Sequence, residues 1–306
     1  MTRSDAILAV VEPDVIPQEV VARAAWLAER TGSTLTLLLC DADVTALAHN
    51  FFVSAETKTI AGNIRAAQRE MIDDLAEPAR KRNIAVALDV LEERPVGEGI
   101  LQRALDMNPR FVIKGTEHHS DARRAIFVDT DWFLIRTCPY PLWLVKAHEM
   151  AAKPLIIAAV DPTHEQDENA SLDHMIVEQA RMIAAKSGGV VHLLHTYQRL
   201  EGIGTEATTT FKPIRLPIDE LSERIANEHR AKLDALATAT GIAANRTHQL
   251  PGRARDILPY FARQRQADLV VMGAVARWSL QRAVIGSTAE RVLDHLPCDI
   301  LIVRAR

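Results

Sequence analysis

Short apolar runs alternate along this chain with longer stretches whose apolar residues recur every three or four positions. The runs at residues 7–11 (ILAVV), 34–39, 86–91, 111–114 and 142–145 read as strands. Residues 18–31, 61–83, 97–106 and 129–137 carry the helical spacing, and in 61–83 Ile64, Met71, Leu75 and Ala79 lie along one side. Gly32 closes the first of these helices. The pattern then repeats, with strands at 155–160, 190–195, 245–250, 269–272 and 300–303 and helices at 172–186, 222–240 and 254–265. A last helix opens near residue 286, presents Ala289, Val292, Leu293 and Leu296 on its apolar side and stops at Pro297. Residues 199–221 contain Pro213 and Pro217 and read as an irregular connection, and loops of that length inside a compact domain are usually functional. Strands alternating with helices imply an α/β fold with parallel sheets covered on both faces.

The repetition is also visible residue by residue. Displacing the sequence by 158 lays Gly115 on Gly273, Pro139 on Pro297 and Leu144-Val145-Lys146 on Ile302-Val303-Arg304. The two beginnings, ILAVVEP and IIAAVDP, coincide at a shift of 149, so the second copy carries about nine extra residues before its last segment. Two domains follow, residues 1–150 and 151–306, joined near 147–153.

In a parallel open sheet a ligand sits beyond the carboxyl ends of the strands, where strand order reverses. In the second copy that place gathers Asp161, Gly273, Gly286, Ser287 and Thr288. Gly273 ends a strand and Gly286 begins a helix, so the backbone can come close to a phosphate, and the first N–H groups of the helix are free to receive it. The same residues equally suit an ordinary strand end, an ordinary helix cap and an Asp-Pro turn. In the first copy the corresponding positions hold Glu12, Gly115, His118, Val128 and Asp129. Val128 removes the helix-start glycine and Asp129 places a negative charge where phosphate would sit, so this half is read as having lost the site.

The segment from Ala267 to Arg304 resembles the C-terminal signature of the universal stress protein family: Gly, two residues, Gly, nine residues, Gly, then Ser or Thr. Gly273 is followed by Ala274 and Val275, then Ala276 in the place of the second glycine; residues 277–285 separate it from Gly286-Ser287. The flanking ADLVVMG and PCDILIVR also match, and the doubled plan resembles the tandem, E-type members over nearly the whole chain. The resemblance implies two five-stranded parallel sheets of order 3-2-1-4-5. It implies ATP or a related nucleotide as ligand, with or without Mg²⁺, held by Asp161, Gly273, Ala276, Gly286, Ser287 and Thr288. It further implies a stress-response role without metabolic catalysis, at most slow ATP hydrolysis. Pairing of the last strands, 142–145 with 300–303, is expected to give a pseudo-dimer within one chain, with a homodimer as the alternative. The competing reading is a ligand carrier or protein-interaction module that uses no nucleotide and binds in a cleft between the two degenerate halves.

Composition narrows the partners. With 306 residues, 48% hydrophobic and 25% charged, the chain is of ordinary globular make-up, and a net charge of −4 offers no footprint for nucleic acid. No apolar run reaches the roughly 20 residues of a membrane span. The first residues lead straight into a strand and leave no room for a signal peptide. Cys40, Cys138 and Cys298 lie in or beside apolar strands, so buried free thiols in a reducing cytoplasm are expected. His118, His119 and Asp121 read as a solvated loop rather than a metal site. His192 and His195, three apart on a strand, should face opposite sides. Trp132, Phe133, Tyr140 and Trp143 read as core and inter-domain packing, and Arg277 and Arg282 as charges that either steer an anion or are solvated.

Overall fold

The computed structural model describes residues 4–40, 55–91, 95–116, 128–164, 170–199, 218–273, 292–293 and 295–304. The chain divides into two compact units, Met1–Met150 and Ala151–Arg306.

The first unit runs β1 (Ala6–Val11), α1 (Pro17–Thr31), β2 (Thr34–Leu39), α2 (Ala55–Arg80), β3 (Val86–Val90), α3 (Val96–Met107), β4 (Phe111–Gly115), α4 (Val128–Thr137) and β5 (Leu142–Val145). Every strand pair is parallel and the order is β3-β2-β1-β4-β5. The second unit runs β6 (Leu155–Val160), a 3₁₀ turn (Pro162–His164), α5 (Ala170–Ser187), β7 (Val190–Tyr197), α6 (Ile218–Thr240), a second 3₁₀ turn (Ala244–Arg246), β8 (Thr247–Pro251), α7 (Ala254–Arg265), β9 (Leu269–Gly273) and β10 (Asp299–Val303). Its parallel order is β8-β7-β6-β9-β10. Each unit thus has the expected 3-2-1-4-5 arrangement. Differences from the sequence reading are confined to element ends: α6 starts at Ile218, four residues early, and β8 starts at Thr247 because residues 244–246 are wound into a turn.

The central strands explain their composition. Ile7, Leu8, Ala9, Val10 and Val11 of β1 are fully buried, as expected of a parallel strand covered on both faces. Trp143 of β5 is fully buried and meets Trp26 and Phe111 edge-on, each at 6.4 Å between ring centres. These two partners lie on α1 and β4. All three cysteines are free and buried. Of the last helix only its final turn is described, where Val292, Leu293 and Leu296 are buried and the Leu296 N–H donates to the Val292 carbonyl.

Two glycines in sequence turn α5 into β7. Gly188 takes a left-handed φ of 68°, and a Cβ on Gly189 would stand 2.4 Å from the Pro154 carbonyl oxygen. A second junction rests on Asp268. Its carboxylate is buried and accepts the N–H groups of Ala151 (2.9 Å) and Leu155 (2.8 Å), tying the start of the second unit to the foot of β9. Asp268→Ala is expected to orphan both donors and to destabilise the second unit by about 1–3 kcal/mol per donor. Denaturant unfolding of the full chain, followed by exchange protection of the Ala151 and Leu155 amides, would show it.

Candidate functional site

In each unit the strand order reverses beside the first strand. β1 is flanked by β2 and β4, and β6 by β7 and β9, so the chain leaves neighbouring carboxyl ends in opposite directions and opens a crevice. The two crevices are filled in different ways.

In the first unit the crevice closes on itself. Lys114, the last side chain of β4 before Gly115, is buried with its ammonium 2.5 Å from Glu12 Oε2 and 2.7 Å from Asp131 Oδ1. It also donates to the Gly115 carbonyl at 3.1 Å. Asp131 in the first turns of α4 accepts the Thr116 hydroxyl on its other oxygen at 2.9 Å. Above them the loop after β1 lies against Gly115, where a Cβ would stand 2.7 Å from the Val15 carbonyl oxygen. Ile16, in the same loop, takes a left-handed φ of 39°, a costly conformation for a β-branched residue. The side chains of Val128 and Asp129, and His118 altogether, lie outside the described residues. The closure therefore rests on Lys114 and Asp131, which the motif comparison did not single out. The one signal in the sequence is a lysine in an otherwise apolar interior strand.

Electrostatics follow from burial. Desolvation is the largest influence on Glu12 and raises its carboxyl above the ordinary value; Lys114 opposes this and Asp131 adds to it. Burial alone would lower the Lys114 ammonium, but Asp131 and Glu12 outweigh it and hold it above its ordinary value. Because the Glu12 carboxyl is raised, its contribution favours folding below about pH 4.3 and is lost as pH rises through the folded-state value. Lys114→Met, which copies Met272 of the second unit, leaves two buried carboxylates without a counter-charge and is expected to cost about 3–5 kcal/mol at neutral pH. Glu12→Gln, by contrast, should be neutral or stabilising at neutral pH. Denaturant unfolding across pH distinguishes the two variants.

The second crevice carries no such ion set among the described residues. Asp161 follows β6, Gly273 ends β9, and the two strands pair in register through Ala158 and Val271, so these two residues meet at one end of the sheet. The Asp161 side chain is 43% exposed, and that exposure leaves the carboxylate reachable from the crevice. Its Oδ1 accepts the Thr163 hydroxyl at 2.7 Å, and its N–H donates to Asp173 Oδ1 on α5 at 3.1 Å. A Cβ on Gly273 would stand 2.8 Å from Leu172 Cδ2, the flexible end of a side chain. Gly115→Ala is thus expected to destabilise its unit by about 1–3 kcal/mol against a rigid carbonyl, and Gly273→Ala by less. Paired denaturation curves give the comparison. Ala276, Gly286, Ser287 and Thr288 lie outside the described residues, as do Arg277 and Arg282.

Histidines crowd the β7 side of this crevice. His195, buried on β7, places Nδ1 3.1 Å from the Val160 carbonyl and 3.8 Å from Asp161 Oδ1, and Nε2 2.7 Å from His229 Nδ1 on α6. His192 points to the other face, where its ring stacks on His248 with 2.9 Å between Nδ1 and Nε2. The opposite-face reading of His192 and His195 is what the structure shows; their partners, His229 and His248, come from elements the sequence could not connect. Burial is the first cause that lowers His248, to about 4, followed by His192 and by Arg265 and Arg230. Among the described residues no group of three His, Cys, Asp or Glu side chains is arranged to hold a metal. A groove of about 600 Å³ in the first unit is lined by α1, α2 and Arg82 just beyond α2, chiefly by Val21, Ala25, Met71, Leu75 and Pro78.

Two tandem crevices on one repeated α/β plan have a counterpart among known proteins. The pattern of the universal stress protein family matches residues 4–146 and again 156–304. The chain belongs to that family. Among its relatives, Universal stress protein E of Escherichia coli is 26% identical over 302 residues, covering 97% of this chain and 93% of that one. The Universal stress protein E homolog of Haemophilus influenzae is 25% identical over 310 residues, covering 97% and 96%. A solved structure of a functionally unknown protein from Pseudomonas aeruginosa superposes with a TM-score of 0.74 at 25% identity, covering 98% of this chain and 92% of that one. A universal stress protein from Archaeoglobus fulgidus shares the fold at a TM-score of 0.64 and 15% identity, covering 99% of each chain. The family and its tandem arrangement were legible from the signature residues. Among the described residues no helix is long and apolar enough to cross a membrane.

Proposed function

We propose that this universal stress protein binds ATP or a related nucleotide in its second unit and has given up the equivalent site in its first. The observation that carries the reading is the contrast between the crevices. One holds the buried Lys114–Glu12–Asp131 set; in the other Met272 stands where the first has the lysine, and the Asp161 side chain is 43% exposed. A half-exposed carboxylate at the end of β6 suits the hydroxyls of a ribose, and a glycine ending β9 suits close approach of a phosphate. The sequence of the loop that follows supplies Gly286, Ser287 and Thr288 for the phosphates, with Ala276 at the position where the family pattern has glycine. Phosphate chemistry would come with the nucleotide. The chain's own groups bind and orient it. A cytoplasmic stress-response role accords with family membership and with three reduced, buried thiols.

Calorimetric titration with ATP and with Mg²⁺-ATP tests the reading. One nucleotide per chain is expected, and Gly286→Val, which copies Val128, should abolish uptake. Ala276→Gly should tighten binding: a left-handed alanine costs roughly 1–2 kcal/mol, worth up to about thirtyfold in affinity. A stoichiometry of two, or no binding by either protein, would refute it; the latter would move the assignment to a carrier without nucleotide.

A further inference from the structure

The polar groups behind Asp161 form a hydrogen-bonded chain whose directions are fixed by what each atom can do. The Val160 carbonyl only accepts, so the facing His195 Nδ1 must carry a proton. A neutral His195 then has only a lone pair on Nε2, and the His229 Nδ1 at 2.7 Å must donate to it. That leaves His229 Nε2 as the lone pair where the next proton is taken up. The rings lie nearly parallel, 5.0 Å apart at 20°, with Tyr197 of β7 covering His229 at 5.4 Å. A second proton on the pair would set two Nδ1/Nε2 hydrogens against each other across 2.7 Å, so the pair holds one positive charge and no more.

The surroundings couple that charge to the crevice. Asp161 faces the pair from the end of β6, Glu228 and Lys232 from α6, and Asp173 of α5 holds the Asp161 N–H. Lys232 also donates to the Thr163 carbonyl at 3.2 Å while the Thr163 hydroxyl binds Asp161, so α6 grips the turn that carries the carboxylate. Among the described residues Asp161, Glu228 and Asp173 and the Lys232 ammonium stand at this end of the crevice, and the Asp161 and Glu228 carboxylates favour an added proton on His229. Burial is the first cause that lowers His229, followed by His195; Asp161 and Glu228 act the other way. His229 therefore stays neutral to lower pH than an ordinary imidazole and takes up a proton as pH falls.

We propose that His195 and His229 form a one-proton switch that sets the charge beside Asp161 and thereby links occupancy of the second crevice by an anionic nucleotide to proton uptake. The proposal rests on the nucleotide reading above and adds its regulation. Protonation of the pair places a positive charge on the two stacked imidazoles beside Asp161, which holds the carboxylate in place and offsets its charge toward a phosphate ligand. Both residues are positioning residues, since neither is asked to touch the reacting phosphates.

The test is calorimetric titration of the full chain with Mg²⁺-ATP at about pH 8 and about pH 6, either side of the ordinary imidazole range, in buffers of different ionisation enthalpy. Because a terminal phosphate itself titrates near pH 6, the proton count is read as the difference between the natural protein and His229→Gln. Up to one additional proton per bound nucleotide is expected in the natural protein, with affinity rising by at most about tenfold per pH unit as pH falls, a dependence His229→Gln should lose. Side-chain ¹⁵N spectra of the ligand-free protein should show His195 and His229 sharing one protonation step. Equal proton counts in the two proteins, or two independent histidine titrations, would overturn the switch while leaving nucleotide binding intact. No binding at either pH would overturn the nucleotide reading and the switch together.

Discussion

Everything that distinguishes the two units depends on what happens at the carboxyl end of a strand hydrogen-bonded on both sides and buried on both faces. β1 and β6 sit at that point of their sheets, and the reversal of strand order beside each leaves backbone ends that must be satisfied by something polar. In the first unit the answer is internal: an ammonium, two carboxylates, a hydroxyl and a carbonyl. In the second it is a carboxylate that accepts a hydroxyl, with an imidazole nitrogen 3.8 Å away and a side chain 43% exposed.

The internal answer has a thermodynamic character of its own. Lys114 is bound by two acids in a buried place, so the set retains one net negative charge. Burial is the first cause that raises the Glu12 carboxyl; Lys114 opposes it and Asp131 adds to it. Such a set is weak as a source of stability, because the attraction between its charges must first offset the cost of taking them out of water. A duplicated chain can hold one copy in a closed form while the other keeps a reachable crevice.

In the second unit the polar groups run outward from the strand end to the helix. Asp161, Thr163 and Lys232 join the end of β6 to α6, and His195 and His229 do so by a second route. The same helix that packs on β7 and β8 therefore fixes the carboxylate at the mouth of the crevice, so packing and site chemistry are not separable here.

Sequence alone determined the element order, the doubling at shifts of 158 and 149, the buried thiols, the family signature and the opposite facing of His192 and His195. These are local properties: an apolar period, a glycine where α5 must turn back into β7, and a side-chain alternation along β7 are written in consecutive residues. The strand order came from the family resemblance, and the pairings bear it out. Tertiary structure decided which charged residues met. Lys114 finds Glu12 across about a hundred residues and Asp131 across a loop, and His195 finds His229 on a helix beyond a long connection. No period or spacing encodes such encounters. They arise because parallel strands bring residues distant in the chain to the same end of a sheet, and because a buried charge must find its partner there or not be buried at all.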